Sequence, residues 1–489
     1  MKICLISPYE SVAAYGLRIL SAVAKRGGHE TTCLFLPLDF RETIPADVLR
    51  QTAEMAAACR IAGISLSSNY MRQGIAITES IRAINPGTLI LWGGILPTTE
   101  PEECLKYCDI ACVGEGEEAL TDLLNRLEAG EPFNDIPNLY FRDSNGILIS
   151  NPLRPLNRDL DSIPFPDYDC DGHYILDGGR IEPATQERLN KNLAGQYLTL
   201  SSRGCVHSCS FCCNEFLKDL YHGDKWFRRR SAGNLIAECI HVKETLPWVT
   251  EILFDDDAFM ARTEEELTRF GDEYRAKVGI PFFVTGITPA SLTEKKLDIL
   301  INAGLSRLRI GIQTASDRVN FEIYQRSISH EKAEDAIKII ERNKHRLSRH
   351  HYDFIVDNPW ETDEEKIQTL RFLLKIPRPW AINIYSLTFY PGTRLFERAV
   401  NEGLLKDKYS EVYEKSYKSY HSNYINRLFY FYCQSNLPTW VLELFVNRWI
   451  LALRLNYPLW WAYLFLRDAK AWFRRVQARV KAGLGVLSL

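Results

Sequence analysis

The first 130 residues alternate short apolar runs with stretches of helical spacing. Lys2–Ser7 is an apolar run closed by Pro8, Val12–Lys25 has a helical period ending at Gly27-Gly28, and Thr31–Leu36 is a second run. Ile61–Ser67, Thr88–Leu91 and Asp109–Val113 follow, separated by helical patterns at Gly74–Ile84 and Glu100–Tyr107. Strand–helix alternation of this kind predicts a doubly wound, Rossmann-like parallel sheet with helices on both faces. Ligands of such sheets bind beyond the carboxyl ends of the strands. Those ends carry Pro8-Tyr9, Ser65–Ser68, Gly93-Gly94 and Gly114–Gly116.

A second alternating series begins at residue 196. Its strand candidates are Tyr197–Ser201, Glu251–Phe254, Phe282–Thr285, Arg307–Gln313, Tyr352–Val356 and Ala381–Leu387. Helical patterns lie between them at Glu264–Lys277, Glu294–Asn302, Lys332–Asn343 and Glu364–Leu374. Six strand–helix units predict a partial (β/α)6 barrel with its chemistry at the strand carboxyl ends. The pattern divides this α/β chain into a Rossmann-like domain (1–130), a linker (131–195), a partial barrel (196–405) and a helical, aromatic and basic C-terminal region (406–489). The linker is rich in Pro, Asp, Asn and Gly, with one hairpin expected at Asn145-Gly146.

Composition narrows the function. With 46% apolar and 25% charged residues, the 489-residue chain is an ordinary globular protein of two to four domains at roughly 100–200 residues each. Its net charge of −3 argues against a dedicated nucleic-acid binder. Residues 1–150 hold 12 basic and 19 acidic side chains, whereas 425–489 hold 9 and 2, so the two ends face different surroundings. The N-terminus lacks a signal-peptide h-region, so a cytoplasmic location is expected and the 13 cysteines are read as reduced thiols.

The strongest chemical signal is Cys205-Val-His-Ser-Cys209-Ser-Phe-Cys212, a C-x3-C-x2-C loop after the first strand of the second series. Three thiolates on one loop ligate three irons of a [4Fe–4S] cluster and leave the fourth open. Zinc is the competing reading, but it wants a fourth ligand at regular spacing, and His207 inside the loop is badly placed for that. Cys213 adjoins Cys212 and is read as a spectator. Cys104, Cys108 and Cys112 are also evenly spaced, but they fall across a helix and a strand and read as core. His350-His351 reads as a structural strand edge.

This spacing, with Phe211 just before the third cysteine, resembles the radical S-adenosylmethionine (SAM) superfamily over residues 195–405. The resemblance implies that Cys205, Cys209 and Cys212 hold the cluster and that SAM chelates its open iron. It places Phe211 near the adenine and puts Asp255, Asp256, Gln313 and Asp357, at the ends of strands two, four and five, in the SAM site. It also implies reductive cleavage of SAM to a 5′-deoxyadenosyl radical, with electrons from a donor such as flavodoxin or ferredoxin. Gln313 departs from the Glu-Ser common in the family, and Asp357-Asn358 replaces a Gly-rich turn.

Residues 1–125 resemble the cobalamin-binding domain fused to such barrels, through KICLISP, GISLSS (63–68), LWGG (91–94) and CVGEGEEAL (112–120). The resemblance implies cobalamin contacts from Pro8, Tyr9, Ser65, Ser67, Gly93, Gly94, Glu115 and Gly116. The mutase-type Asp-x-His-x-x-Gly loop is missing, so no imidazole is offered to cobalt from below. Together the two resemblances imply cobalamin-dependent methylation of an unactivated carbon in a small molecule. Two alternatives stay open: a radical rearrangement, cyclisation or oxidation, and a non-catalytic iron–sulfur redox or docking protein. Leu455–Val480 mixes Trp, Leu and Tyr with basic residues. It reads either as an interfacial helix on the inner membrane face, which would suit a lipid or isoprenoid substrate, or as a helix packed on the barrel.

Overall fold

The computed structural model describes residues 1–378, 381–421, 423–434 and 437–446. Its first sheet contains β1 (Lys2–Ser7), β2 (Glu30–Phe35), β3 (Ile61–Ser65), β4 (Leu89–Gly93) and β5 (Ile110–Cys112). The sheet continues in β6 (Leu139–Arg142), β7 (Leu148–Ser150), β8 (His173–Asp177) and β9 (Arg180–Pro183), in the order β7-β6-β5-β4-β3-β1-β2-β8-β9. The first five strands are parallel, and the chain winds in opposite directions from β1 towards β2 and β3. That reversal opens a crevice at the carboxyl ends of β1 and β3. Successive residues of β1 point to opposite faces, and both are buried. Ile3 and Leu5 enter one core, with helices Tyr15–Arg26 and Glu117–Ala129, while Cys4 and Ile6 enter the other, with Ala46–Ala57 and Met71–Ile84. This two-sided burial is why the strand reads as an unbroken apolar run.

Segment 131–195 does more than link. Its Asn145-Gly146 turn closes the expected β6–β7 hairpin, which extends the sheet beyond β5. A second hairpin, β8–β9, covers the opposite edge at β2. Asp167 of this segment is buried and takes hydrogen bonds from Ser21 (2.6 Å) and His173 (3.1 Å), which pins it to the domain.

The second sheet is built from β10 (Gln196–Thr199), β13 (Glu251–Phe254), β14 (Phe282–Ile287), β15 (Leu305–Gln313), β16 (Arg349–Val356) and β17 (Ala381–Ser386), all parallel and in that order. A two-stranded ribbon of β11 (Ser202–Arg203) and β12 (Arg228–Arg229) interrupts it after β10. β10 and β17 do not pair, so the six-unit barrel is open. Helices Ala232–Thr245, Glu264–Lys277, Glu294–Ala303, His330–Asn343 and Asp363–Lys375 cover its outer face. Thr263 and Thr362 start two of these with capping boxes, satisfying end N–H groups that would otherwise go unpaired.

One apolar core runs from Leu5 of the first sheet and Leu17 of the helix packed on it to Tyr197, Phe254 and Phe354 of the second sheet. The described C-terminal helices, Tyr424–Gln434 and Thr439–Phe445, pack on Asp363–Lys375 with Leu428, Phe429, Tyr432 and Leu442 buried. Leu455–Val480, the segment behind the interfacial-helix expectation, lies outside the described residues. No helix among the described residues is long and apolar enough to cross a membrane.

Candidate functional site between the two sheets

The carboxyl ends of β3, β4 and β5 face the start of the open barrel across a cavity of about 620 Å³. That is the size of a site for a sizeable organic ligand. On the first-sheet side it is lined by Ser65, Gly93, Gly94, Glu115 and Gly116, all expected there, and by Tyr15, Gly16 and Leu17. On the barrel side it is lined by Leu198, Leu200, Cys213, Asn214, Trp226, Asp255 and Asp257. A Cβ built on Gly16 meets nothing within 4 Å, so any side chain there would project into this space. Gly94 holds φ at +99°, with Leu66 O only 2.7 Å from where its Cβ would stand.

Three expected first-sheet contacts, Pro8, Tyr9 and Ser67, do not line this cavity. Pro8 is buried and Tyr9 stands behind the wall, its hydroxyl 3.3 Å from Ser65 Oγ and its ring edge-on to Tyr70. Ser67 precedes a short 3-10 turn and does not line the cavity either. The chain bends away after β1, so the residues that follow this strand reach the cavity only from Tyr15 onward.

The cysteine loop runs from β11 to helix Cys213–Leu220, and Cys205, Cys209 and Cys212 are all half-buried. Burial pushes Cys205 up to about 12 and Cys209 up to about 11, although Arg326 beside Cys209 works the other way. Cys212 falls to about 7 because the Cys213 thiol donates to it, against the effect of burial. Cys205 and Cys209, reluctant to ionise by themselves, become thiolates when metal supplies the positive charge, whereas Cys212 needs less help. The loop already aims donors at sulfur: the His207 amide at Cys205 (3.4 Å) and the Asn214 amide at Cys212 (3.7 Å). Among the described residues no three His, Cys, Asp or Glu converge as one ion would require. Cys104 and Cys108 lie in one core of the first sheet and Cys112 in the other, so they share no site.

The three aspartates after β13 divide their roles. Asp255 and Asp257 face the cavity, and burial lifts Asp257 to about 6. Asp256 does not reach it. Its carboxylate is buried and takes hydrogen bonds from the Ser201 amide and from the Ser201 and Ser202 hydroxyls, which ties the end of β10 to β13. Asp357 does not line the cavity either. It accepts from Ser386 Oγ (2.6 Å), the His421 amide (2.9 Å) and Asn426 Nδ2 (2.5 Å), fastening the end of β16 to the C-terminal helices. Gln313 sits at φ +72° with a buried, unpartnered Oε1. Phe211 packs edge-on to Tyr324, 5.0 Å between ring centres, in a small apolar cluster.

Charges missed in the sequence join the two halves. Arg203, directly before the cysteine loop, pairs with Glu117 (2.5 Å) and Glu115 (3.2 Å), and buried Arg228 also pairs with Glu115 (2.5 Å). Tyr221 accepts the Glu115 amide at 3.0 Å. Burial opposes the ionisation of Glu115, but the two guanidiniums prevail and hold it below the usual carboxylate range. Glu115 lines the cavity, but its charge is spent on this clamp.

Comparison with known proteins agrees with both halves. The B12 binding domain model matches residues 1–124 and the Radical SAM superfamily model matches 199–373. An uncharacterized methyltransferase of Pyrococcus horikoshii is 28% identical over 353 residues, which is 71% of this chain and 70% of that protein. The cytidylyl-2-hydroxyethylphosphonate methyltransferase of Streptomyces wedmorensis is 21% identical over 393 residues, 73% of this chain and 69% of its own. In fold, the chain is similar to the radical SAM methyltransferase TsrM of Kitasatospora setae, solved with cobalamin and a [4Fe–4S] cluster. The TM-score is 0.65 at 15% identity, covering 82% of this chain and 78% of that one. This chain belongs to the radical SAM enzymes that carry an N-terminal B12-binding domain.

Proposed function

We propose that the protein methylates an unactivated carbon of a small molecule, with Cys205, Cys209 and Cys212 holding a [4Fe–4S] cluster and the facing cavity holding cobalamin and SAM. The observation that carries this reading is the single cavity shared by the glycine-lined ends of β3–β5 and the helix start at Cys213 and Asn214. When bound, these cofactors supply radical generation from SAM and a transferable methyl group.

The chain's own residues bind, orient and exclude water. Gly63, Gly93 and Gly94 let a large flat cofactor approach the backbone closely. Leu17, Leu20, Leu91, Leu120 and Leu139 give it an apolar bed. Asp255, fixed by the Thr285 hydroxyl at 2.8 Å, and Asp257 offer carboxylates for the ammonium of SAM. The Arg203–Glu115–Arg228 clamp sets the distance between the two cofactor sites. Electrons come from an external donor of the flavodoxin or ferredoxin type.

The test is anaerobic. Protein reconstituted with iron, sulfide and hydroxocobalamin is desalted, reduced and given SAM carrying a deuterated methyl group. Retained corrin absorption, with 5′-deoxyadenosine and S-adenosylhomocysteine both formed, supports methyl transfer. 5′-Deoxyadenosine without S-adenosylhomocysteine moves the enzyme to rearrangement, cyclisation or oxidation. An intact cluster with neither product would leave a redox or docking protein.

A further inference from the structure

The inner face of the barrel sheet is polar at its centre. Parallel register sets Phe283 beside Arg307, Arg309 beside His351, and Asp353 beside Asn383. These residues alternate with Leu308, Ile310, Tyr352 and Phe354, which are buried in the core. Two arginines on the face of a sheet are costly to place unless paired, and both are. Arg307 Nη1 donates to Glu251 (3.0 Å) and Arg309 Nε to Asp353 (2.6 Å).

The two carboxylates on this wall are engaged on both oxygens. Glu251 takes the Gln196 amide (2.8 Å) and Arg307 on one oxygen and the Ser306 hydroxyl (3.1 Å) on the other. Asp353 takes Arg309 on one oxygen and the Asn383 amide (2.7 Å) on the other. The donors are in surplus. A guanidinium carries five N–H groups. Arg309 uses one more on Tyr385 Oη (2.8 Å), while Arg307 Nε is buried without a partner. The Arg309 side chain remains 37% exposed in the middle of the sheet, and Arg307, 33% exposed, lies nearer its amino end, level with Arg349 at the start of β16. Asp255, whose charge Arg309 senses, continues the same face towards the cysteine-side cavity.

A wall with its carboxylates engaged and guanidinium N–H donors left over recognises an acceptor-rich, negative group, and a guanidinium held by a carboxylate presents its free edge already oriented. We propose that this wall binds the carboxylate or phosphate of the small-molecule substrate, with Arg307 and Arg309 as specificity-determining donors. The proposal rests on the reading above only in assigning the anion to the substrate. It runs against a neutral isoprenoid filling the barrel.

The test titrates the cluster- and cobalamin-loaded full chain calorimetrically with inorganic phosphate, with acetate, and with tetramethylammonium as the opposite charge. Wild type is compared with R307Q/E251Q and R309Q/D353N, which remove each pair without stranding a buried charge. One anion is expected to bind at a single site, phosphate or acetate marking its class, with tenfold or greater weakening in R309Q/D353N. Undiminished binding in both double variants, preference for tetramethylammonium, or no anion binding at millimolar concentration would overturn it. Should a variant fail to fold, wild-type crystals soaked in selenate give the answer by anomalous scattering. Selenium within hydrogen-bond reach of Arg309 supports the proposal, and its absence from this wall refutes it. Neither experiment involves reductant or SAM turnover, so failure here leaves the methyl-transfer reading standing, and failure of methyl transfer leaves this result intact.

Discussion

Glu115→Gln tests the clamp between the two halves. The carboxylate accepts from Arg228 Nη1 (3.1 Å) and Nη2 (2.5 Å) and lies 3.2 Å from Arg203 Nη1. Arg203 keeps Glu117 in the variant, but Arg228, only 1% exposed, keeps just neutral partners such as the Asn157 carbonyl (2.7 Å). Stranding one member of a buried pair costs about 3–5 kcal/mol. The glutamate is 25% exposed, so water reaches its side and the lower end, about 3 kcal/mol, applies. At 1.36 kcal/mol per decade this is on the order of 150-fold in local opening. The assay is native-state hydrogen exchange. Amides Gly114, bonded to Thr98 Oγ1, and Glu115, bonded to Tyr221 Oη, report the interface, and peptides from β14 to β16 serve as the control. Exchange about a hundredfold faster at 110–120, with the control unchanged and partial recovery in E115Q/R228M, is the expected outcome. Acceleration of less than about threefold would show that the clamp contributes nothing to docking.

Cys205→Ala, Cys209→Ala and Cys212→Ala should each lose most reconstituted iron and sulfide while Cys213→Ala retains them, measured as iron and sulfide per chain. Gly94→Ala forces a Cβ towards Leu66 O at φ +99° and should destabilise the first domain by about 2 kcal/mol or more, read by denaturant unfolding, with loss of bound hydroxocobalamin. His173 is buried, which lowers its pKa, but Asp167 and Cys33 outweigh this and raise it to about 9. A pKa raised above its unfolded value gives stability that is complete below about pH 6.5 and is lost as pH rises through about 9, on the order of 3 kcal/mol. The first domain's urea midpoint should fall across that window, and His173→Gln should flatten the slope.

The sequence alone determined the first five strands of one sheet, the six of the other and the cysteine loop, because each signal is local, but not the β8–β9 hairpin that 131–195 adds to the first sheet. A parallel strand buried on both faces writes itself as an apolar run, and three thiolates on one loop need no distant partner to be recognised. Glycines at the ends of β4 and β5 were legible for the same reason. The tertiary structure decided what depends on remote partners. Of three consecutive aspartates, the turn after β13 sends Asp255 and Asp257 to the cavity and Asp256 to Ser201 and Ser202, some 55 residues away in the chain. Glu115 reads as a cofactor contact until Arg228, 113 residues on, neutralises it. Asp357, at the end of β16, takes one oxygen's bond from the His421 amide and the other's from Asn426 of the C-terminal helix, neither visible in the local sequence. A carboxylate's role follows from which donors surround it, and that is set by how the elements pack, which hydrophobic period does not encode.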